Sequence, residues 1–394
     1  MAGTLRVCLW ATTFQSDIYS LARYLHQQQD FQVMVAMDDV EGYRREPIHV
    51  FQPLDFPLVE KKHWLTPLKI HRFRPQITVV DNHYPNWRLS PSLFTIWHGQ
   101  SWKGPQDRGE FADAFRQIKR LTGIAADEPN RFFRWSCAGP TEVEHRASVT
   151  GFARENLVNV GYASVDDILG WPFSREEMLR FYPPSFATGK ICLFAPTWHY
   201  ARIFPYGTDD LQVFNKFFNF AAGEGISVIL RMHDRMRFDA SYLAALEALT
   251  RKHDNVLIKY KNESRDSMLD MMVADFAVSN YSSLLTYYYA TGRPSVHIYP
   301  IRSGNERFMY RAYSGGKVRT VPVEDERYVW RRDPLEIGGL GAKTYDELCD
   351  AVRRAMAEPD CCSEQIRRFV SRHMLPSDGR ACERAADVLR QMVR

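Results

Sequence analysis

The chain has 394 residues, 45% of them hydrophobic and 25% charged, with 51 basic against 47 acidic side chains and a formal net charge of +4. That is material for two domains of about 150 to 200 residues each, and it excludes a disordered tail, a fibre and a protein held to nucleic acid by counterion release. No apolar run reaches the roughly 18 residues of a membrane-spanning helix, and the opening residues lead directly into a strand-like segment, so the expectation is a cytoplasmic chain.

Residues 5–10 read as a strand, 17–26 as an amphipathic helix behind Ser16, and 31–36 as a second strand, which makes a βαβ opening. Further strand-like runs follow at 76–80, 93–97, 121–125 and 157–160, then a helix at 164–169. The prolines between 170 and 189 break the period twice and mark a linker. Beyond it the alternation restarts, with strands at 191–194, 226–230, 256–258, 276–278 and 295–299. Helices at 211–222, 242–252, 267–273 and 284–290 separate them. Strands interleaved with helices favour parallel, doubly wound sheets. Residues 310–341 read as irregular, and 345–394 as helices interrupted at Pro376-Ser377-Asp378-Gly379. Seven cysteines, odd in number and without a C-x-x-C pair, signal neither a disulfide framework nor a zinc site.

In such sheets a ligand sits beyond the carboxyl ends of the strands, which directs attention to four corners. They are His98-Gly99-Gln100-Ser101-Trp102-Lys103-Gly104, Ala195-Pro196-Thr197-Trp198-His199, Arg231-Met232-His233-Asp234-Arg235 and Ser279-Asn280-Tyr281-Ser282-Ser283. The last lies where a helix is expected to begin, so its amides and hydroxyls suit a phosphate; Ser282 or Ser283 equally reads as a simple N-cap. Arg231 and His233 could neutralise the same phosphate, or form a salt-bridged corner. His98, followed by a glycine that lets a ligand approach the backbone, suits a general base toward a hydroxyl. A lone strand-end histidine is more often a packed residue, and that reading weighs more heavily on His83, His199 and His297. Trp198 serves equally as a wall or a stacking platform.

The sequence contains no D-x-D, no P-loop and no G-x-S-x-G elbow, and Gly338-Gly339-Leu340-Gly341 lacks the strand and acidic residue of a dinucleotide fingerprint. Taken in order, the four corners resemble the CDP-glycerol glycerophosphotransferase family of teichoic-acid and capsule synthesis. Trp97 to Lys103 is similar to its Trp-His-Gly-Thr-Pro-Leu-Lys segment, and Phe194-Ala195-Pro196-Thr197-Trp198 to its Tyr-Ala-Pro-Thr-Trp. Leu230-Arg231-Met232-His233 resembles its Leu-Arg-x-His strand end. Asp275 to Ser283 resembles its Asp-x-x-x-Thr-Asp-Tyr-Ser-Ser, followed by Arg293-Pro294, and Asp378 to Arg384 resembles its late Asp-Gly-Lys-Ala-Ser-Glu-Arg.

The resemblance implies an α/β chain of the GT-B type, two Rossmann-like domains facing a central cleft. The acceptor-side domain would be 1–172, the nucleotide-donor domain 186–375, and 376–394 a terminal helix able to cross back. It implies transfer of glycerol phosphate, or a similar polyol phosphate, from a CDP-linked donor to a saccharide or lipid-linked hydroxyl with release of CMP. His98 would take the acceptor proton, His233 would act beside it in catalysis, and Arg231, Ser279, Asn280, Ser282 and Ser283 would hold the donor diphosphate. Gly99, Lys103, Thr197 and Trp198 would line the cleft, and neither metal nor cofactor is implied. Three departures, Gln100, Asp234 and Asn280, leave open a CDP-ribitol donor, a GT-B glycosyltransferase using a nucleotide sugar, or a non-catalytic GT-B binding module. Lys61, Lys62, Trp64, Leu65, Leu68, Lys69, His71, Arg72 and Arg74 form a basic, aromatic-bearing stretch. It suits peripheral contact with the inner membrane face, or a solvated helix packed on its own domain.

Overall fold

The computed structural model describes residues 4–393 except 13, 48, 50–51, 54, 82, 98–101, 105–106, 198–202, 205, 207–208, 236–237, 300–308, 315–316, 323–328 and 331–335; at 103–104 and in the strands between 309 and 330 only the backbone is described. The chain divides into two compact units, one of Met1–Gln100, Pro105–Trp171 and Val370–Arg394, the other of Ser101–Gly104 and Pro172–Phe369.

In chain order the first unit holds β1 (Leu5–Trp10), α1 (Ser16–Gln27), β2 (Phe31–Met37), α2 (Val40–Arg44), β3 (Leu58–Glu60), α3 (Thr66–Phe73), β4 (Ile77–Val80) and β5 (Ser92–Ile96). The two-residue β6 (Lys103–Gly104) counts with the second unit. The first unit continues with α4 (Ala112–Thr122), β7 (Phe133–Cys137), α5 (Pro140–Glu144), β8 (Leu157–Asn159) and α6 (Ala163–Leu169). Its seven strands pair in parallel in the order β3-β2-β1-β4-β5-β7-β8. A parallel sheet is covered on both faces, so its strands are apolar throughout. β1 shows why: Leu5, Val7 and Leu9 enter the core packed by α1, while Cys8 and Trp10 enter the core on the opposite face.

The second unit comprises α7 (Arg175–Leu179), β9 (Lys190–Phe194), α8 (Asp210–Gly223), β10 (Ile226–Met232), α9 (Ala240–Thr250), β11 (Val256–Tyr260), α10 (Met268–Val273), β12 (Phe276–Ser279), α11 (Leu284–Tyr288) and β13 (Ser295–Ile298). Then come β14 (Met309–Ser314), β15 (Lys317–Pro322), β16 (Val329–Trp330), β17 (Leu340–Ala342) and α12 (Tyr345–Ala357). Its parallel sheet runs β11-β10-β9-β12-β13-β17. Cys192, Phe194, Val228, Leu230, Phe214 and Phe217 build one core face. Alternation turns Ile229 and Arg231 of β10 to the other face. The chain ends with α13 (Ser363–His373) and α14 (Ala381–Met392); Cys382, Ala385, Ala386 and Leu389 of α14 join the α1 core of the first unit.

Several expectations need correction. The run 121–125 is not a strand: it closes α4, which Gly123 ends in a left-handed conformation at φ 82°. The strand there is β7, whose apolar run is interrupted by Arg134; that side chain donates to the carbonyls of Asn130 and Phe133. The linker 170–189 contains α7, capped by Ser174 and Glu177 in a reciprocal capping box. The segment read as irregular holds an antiparallel hairpin, β14 with β15, and β16 pairs with β6.

Candidate functional site

In the second unit the strand order reverses between β9 and β12, the position at which open parallel sheets bind ligands. Two of the four corners meet there. The Ala195 amide donates to the carbonyl of Val278, Ser279 Oγ donates to the Ala195 carbonyl at 2.6 Å, and the Thr197 amide donates to Asn280 Oδ1 at 2.6 Å. Asn280 Nδ2 reaches the Ile203 carbonyl at 3.5 Å. Ser279 and Asn280 are fully buried and spend their side chains on this junction. These bonds tie the loop after β9 to the loop after β12.

Arg231 is likewise committed inside the protein. Its side chain, 6% exposed, forms a 2.5 Å ion pair with Asp270 Oδ2 and donates to the carbonyls of Ser264 and Arg265. Lys259 stands beside Arg231 in register on β11 and donates to Asp270 Oδ1 at 2.6 Å, and the Tyr182 hydroxyl donates to the same oxygen at 2.5 Å. Burial opposes ionisation of Asp270, yet Lys259 and Arg231 outweigh it and hold its carboxyl below the ordinary range. The neighbouring Asp266 is pushed up to about 6, first by burial. Arg231, Lys259 and Asp270 together brace β10 and β11 against α10 and the loop before it. Asp270, Lys259 and Tyr182 were not singled out from the sequence; they lie 39, 28 and 49 positions from Arg231, and no local pattern joins them.

His233 and Asp234 follow β10. The Asp234 amide lies 2.8 Å and its carboxylate 3.0 Å from His233 Nδ1. With the Asp234 amide donating to Nδ1, the neutral ring carries its hydrogen on Nε2, a donor suited to an anionic oxygen. Ser282 and Ser283 are half-buried and precede α11, whose Leu284 amide lies 3.4 Å from Ser282 Oγ. Ser282 is therefore the cap-like residue, with its own amide donating to Ser279 Oγ. The helix has five residues, too short for a full macrodipole, so any anion there depends on hydroxyls and local amides.

Between these serines and Asn280, Tyr281 takes φ 68°, in the left-handed region that non-glycine residues seldom occupy. Its ring stands edge-on to Trp102 at 5.4 Å and to His297 at 5.4 Å. Phe369 also packs on Trp102, at 5.3 Å. Trp102, of the first corner in sequence, thus packs against the last. His297, on β13, is a core residue: Tyr289 bonds its Nε2 at 2.8 Å, and burial lowers its pKa to about 3.

His98, Gly99, Trp198 and His199 lie outside the described residues, as does the Lys103 side chain. Thr197 is buried at the β9 junction. Trp97, directly after β5, lies in a different cluster of the first unit, stacked on Trp135 at 5.5 Å and 6.0 Å from the Arg146 guanidinium. Arg146 pairs there with Glu142 at 3.0 Å and Glu110 at 3.7 Å.

Residues 141–302 match the family described as CDP-glycerol:poly(glycerophosphate) glycerophosphotransferase. The teichoic acid ribitol-phosphate polymerase TarK of Staphylococcus aureus (strain NCTC 8325 / PS 47) is 22% identical over 324 residues, 77% of this chain and 54% of that protein. The chain therefore spans about half the length of this relative. Among solved structures, the wall teichoic acid polymerase TagF soaked with CDPG superposes with a TM-score of 0.69 at 12% identity, over 99% of this chain and 89% of that one. A UDP-N-acetylglucosamine 2-epimerase gives 0.56 at 11% identity, over 98% and 95%. The likeness read from the motifs is thus shown on the family segment. The fold is α/β with two Rossmann-like units, of the GT-B type shared with TagF.

Proposed function

We propose that the chain transfers glycerol phosphate, or a closely similar polyol phosphate, from a CDP-linked donor to the hydroxyl of a saccharide or lipid-linked acceptor in the assembly of a teichoic-acid-like polymer. The observation that carries this reading is the junction of Ala195 to Thr197 with Ser279 and Asn280 at the strand-order reversal, inside the segment that matches the glycerophosphotransferase family.

In the proposed reaction His98 takes the acceptor proton as the acceptor oxygen attacks the phosphorus bearing glycerol. The bond from that phosphorus to the CMP oxygen breaks, and CMP leaves with the electron pair. The Nε2–H of His233 and the hydroxyls of Ser282 and Ser283 stabilise the charge that gathers on the leaving phosphate, work that is mostly positioning and electrostatics. Arg231, Ser279 and Asn280 hold those groups in place. Gly99, Lys103, Thr197 and Trp198 flank the reacting groups.

The test is CMP release from CDP-glycerol and CDP-ribitol with a lipid-linked acceptor, in the unaltered chain and in His98→Ala. Turnover is expected to fall by about 10²- to 10⁴-fold in the variant while donor binding persists. Full activity in His98→Ala would remove the base assignment. A thermal-shift panel of CDP, UDP, GDP and CMP tests the donor, because the bound nucleotide stabilises by mass action. Preference for UDP would instead favour a nucleotide-sugar transferase.

Peripheral contact with a membrane belongs to the same reading. Trp64 is 81% exposed, and Leu68, Lys69, His71 and Arg72 are exposed on α3. Among the described residues no helix is long and apolar enough to cross a membrane. Co-sedimentation with anionic vesicles should be lost in Trp64→Ala with Lys69→Glu; equal binding by both proteins would remove α3 as the contact.

A further inference from the structure

Both ends of the segment that carries His98 meet at one buried cation. The chain leaves an apolar cluster of the first unit after Trp97 and re-enters it at Glu110 and Phe111, with His98 to Lys103 in sequence between those points. The two ends touch: the Trp97 and Phe111 rings stand edge-on at 5.3 Å, and Trp135 packs on them at 5.5 and 5.2 Å. The Arg146 guanidinium lies 4.3 Å from the Phe111 ring, 5.9 Å from Trp135 and 6.0 Å from Trp97, within reach of cation–π attraction.

Polar groups complete the junction. Arg146 Nη2 donates to Glu142 Oε1 at 3.0 Å, and Nη1 lies 3.7 Å from Glu110 Oε1. Nη1 also lies 2.9 Å from His145 Nδ1. A guanidinium only donates, so Nδ1 accepts and the neutral ring carries its hydrogen on Nε2, 3.7 Å from Glu110 Oε2. The backbone is fixed as well, in a π-helical turn at 145–149 that prolongs α5. There the Thr150 amide donates to the His145 carbonyl, and the Phe152 amide to the Arg146 carbonyl. Such turns are frequent at functional sites.

A cation that is 2% exposed needs a reason, because apolar side chains of the same volume stabilise a core at least as well as a buried ion pair. What an apolar residue could not do is grip a ring at one end of the segment and both a ring and a carboxylate at the other. The sheet does not do this either: Ile96, paired with Ser136 of β7, is the last residue of β5 in the ladder, so Trp97 is the first whose direction the ladder leaves open. We infer that Arg146 is a positioning residue for the transfer reaction: with Glu110, Glu142 and His145 it clasps the two ends of the segment 98–109 and so sets the direction in which the chain leaves Trp97 toward His98. The inference rests on the reading of His98 as the base.

The experiment uses the full chain, unaltered and as Arg146→Lys, Glu110→Gln, His98→Ala and the double variant Arg146→Lys with His98→Ala. It measures kcat for CMP release, CDP affinity by thermal shift and hydrogen exchange over 97–111. Lysine keeps the charge but loses the planar fork and the stacking surface. In Arg146→Lys kcat should fall about tenfold to a hundredfold, the scale of a small misplacement, with CDP affinity unchanged and faster exchange over 97–111. Glu110→Gln should fall in the same direction by less. In the His98→Ala background Arg146→Lys should cost nothing further, because a group that acts through the base has no effect once the base is gone. Leu21→Ala, a cavity in the other core of the same unit, should leave kcat per folded molecule unaltered and so marks what mere destabilisation does. An unchanged kcat in Arg146→Lys, or the same fold loss in both backgrounds, would overturn the positioning role and leave His98 as the base. Full turnover in His98→Ala would remove the base and this role together. Absence of CMP release from every donor would overturn the transferase reading itself, and this role with it.

Discussion

Arg231 and Asp270, 39 positions apart, share a 2.5 Å ion pair in which the carboxylate is wholly buried and Lys259 occupies its other oxygen. Removing the carboxylate strips Arg231 and Lys259 of the ion-pair partner they share. Asp270→Ala should therefore lower stability by about 3–5 kcal/mol, as breaking buried pairs does. Urea unfolding measures it. Asp270→Asn keeps the shape but not the charge and should show most of the same loss; an unchanged midpoint in both would mean the cluster is neutralised some other way.

The junction of β9 with β12 makes a second prediction. Asn280 is the acceptor for the buried amide of Thr197. In Asn280→Ala that amide loses its partner, at a cost of about 1–3 kcal/mol. Asn280→Asp restores the acidic residue of the family pattern and can still accept from Thr197. It should keep most of the stability, and CDP affinity in thermal shift should fall in the alanine variant more than in the aspartate one. The opposite order would mean that Asn280 acts on the donor itself.

Most strands of both sheets were legible because a parallel strand buried on two faces is an apolar run, and 5–10, 226–230 and 276–278 are such runs, whereas the three-residue edge strands β3 and β17 carry no such run and were missed. β7 was not legible either, because Arg134 interrupts its apolar run while Leu121 to Ala125 imitates a strand at a helix end. The hairpin of β14 and β15 did have a signal, Gly315-Gly316 between two strand-compatible runs, of the kind that joins paired strands. At the site, sequence adjacency located the corners but not the commitments of the side chains within them. Asp270 meets Arg231 only once β10 and α10 have folded, so Arg231 read as an open cation.

His297 connects burial to acid sensitivity. Burial lowers its pKa from 6.5 to about 3, so between those values the unfolded chain binds a proton that the folded chain refuses. Stability from this group is complete above about pH 6.5 and falls as pH drops toward 3, by about 1.4 kcal/mol per unit. His49, lowered to about 4 by burial, adds in the same direction. His297→Gln keeps an acceptor for the Tyr289 hydroxyl but cannot titrate. Its stability, measured by urea unfolding from about pH 4.5 to 7, should depend on pH with a slope smaller by about one proton. An unaltered slope would show that the ring titrates normally in the folded state.

Gly139 tests close approach rather than conformation. Its φ of −175° is open to any residue, but a Cβ there would lie 1.9 Å from the carbonyl oxygen of His373 and 2.5 Å from the carbonyl carbon. Both contacts are backbone, so no side-chain rotation relieves them. In Gly139→Ala the segment that begins at Val370 must shift away from the start of α5, loosening the contact of Thr141 Oγ1 with His373 Nδ1 at 3.1 Å. The expected loss is about 1–3 kcal/mol, typical of overpacking. Gly123→Ala supplies the contrast, because Gly123 has φ 82° and open space around its Cβ position, so its cost is conformational alone. Hydrogen exchange separates the two: residues 370–393 should exchange faster in Gly139→Ala and at the unaltered rate in Gly123→Ala. Equal exchange in both would mean that the approach of His373 to Gly139 does not anchor the last 25 residues to the first unit.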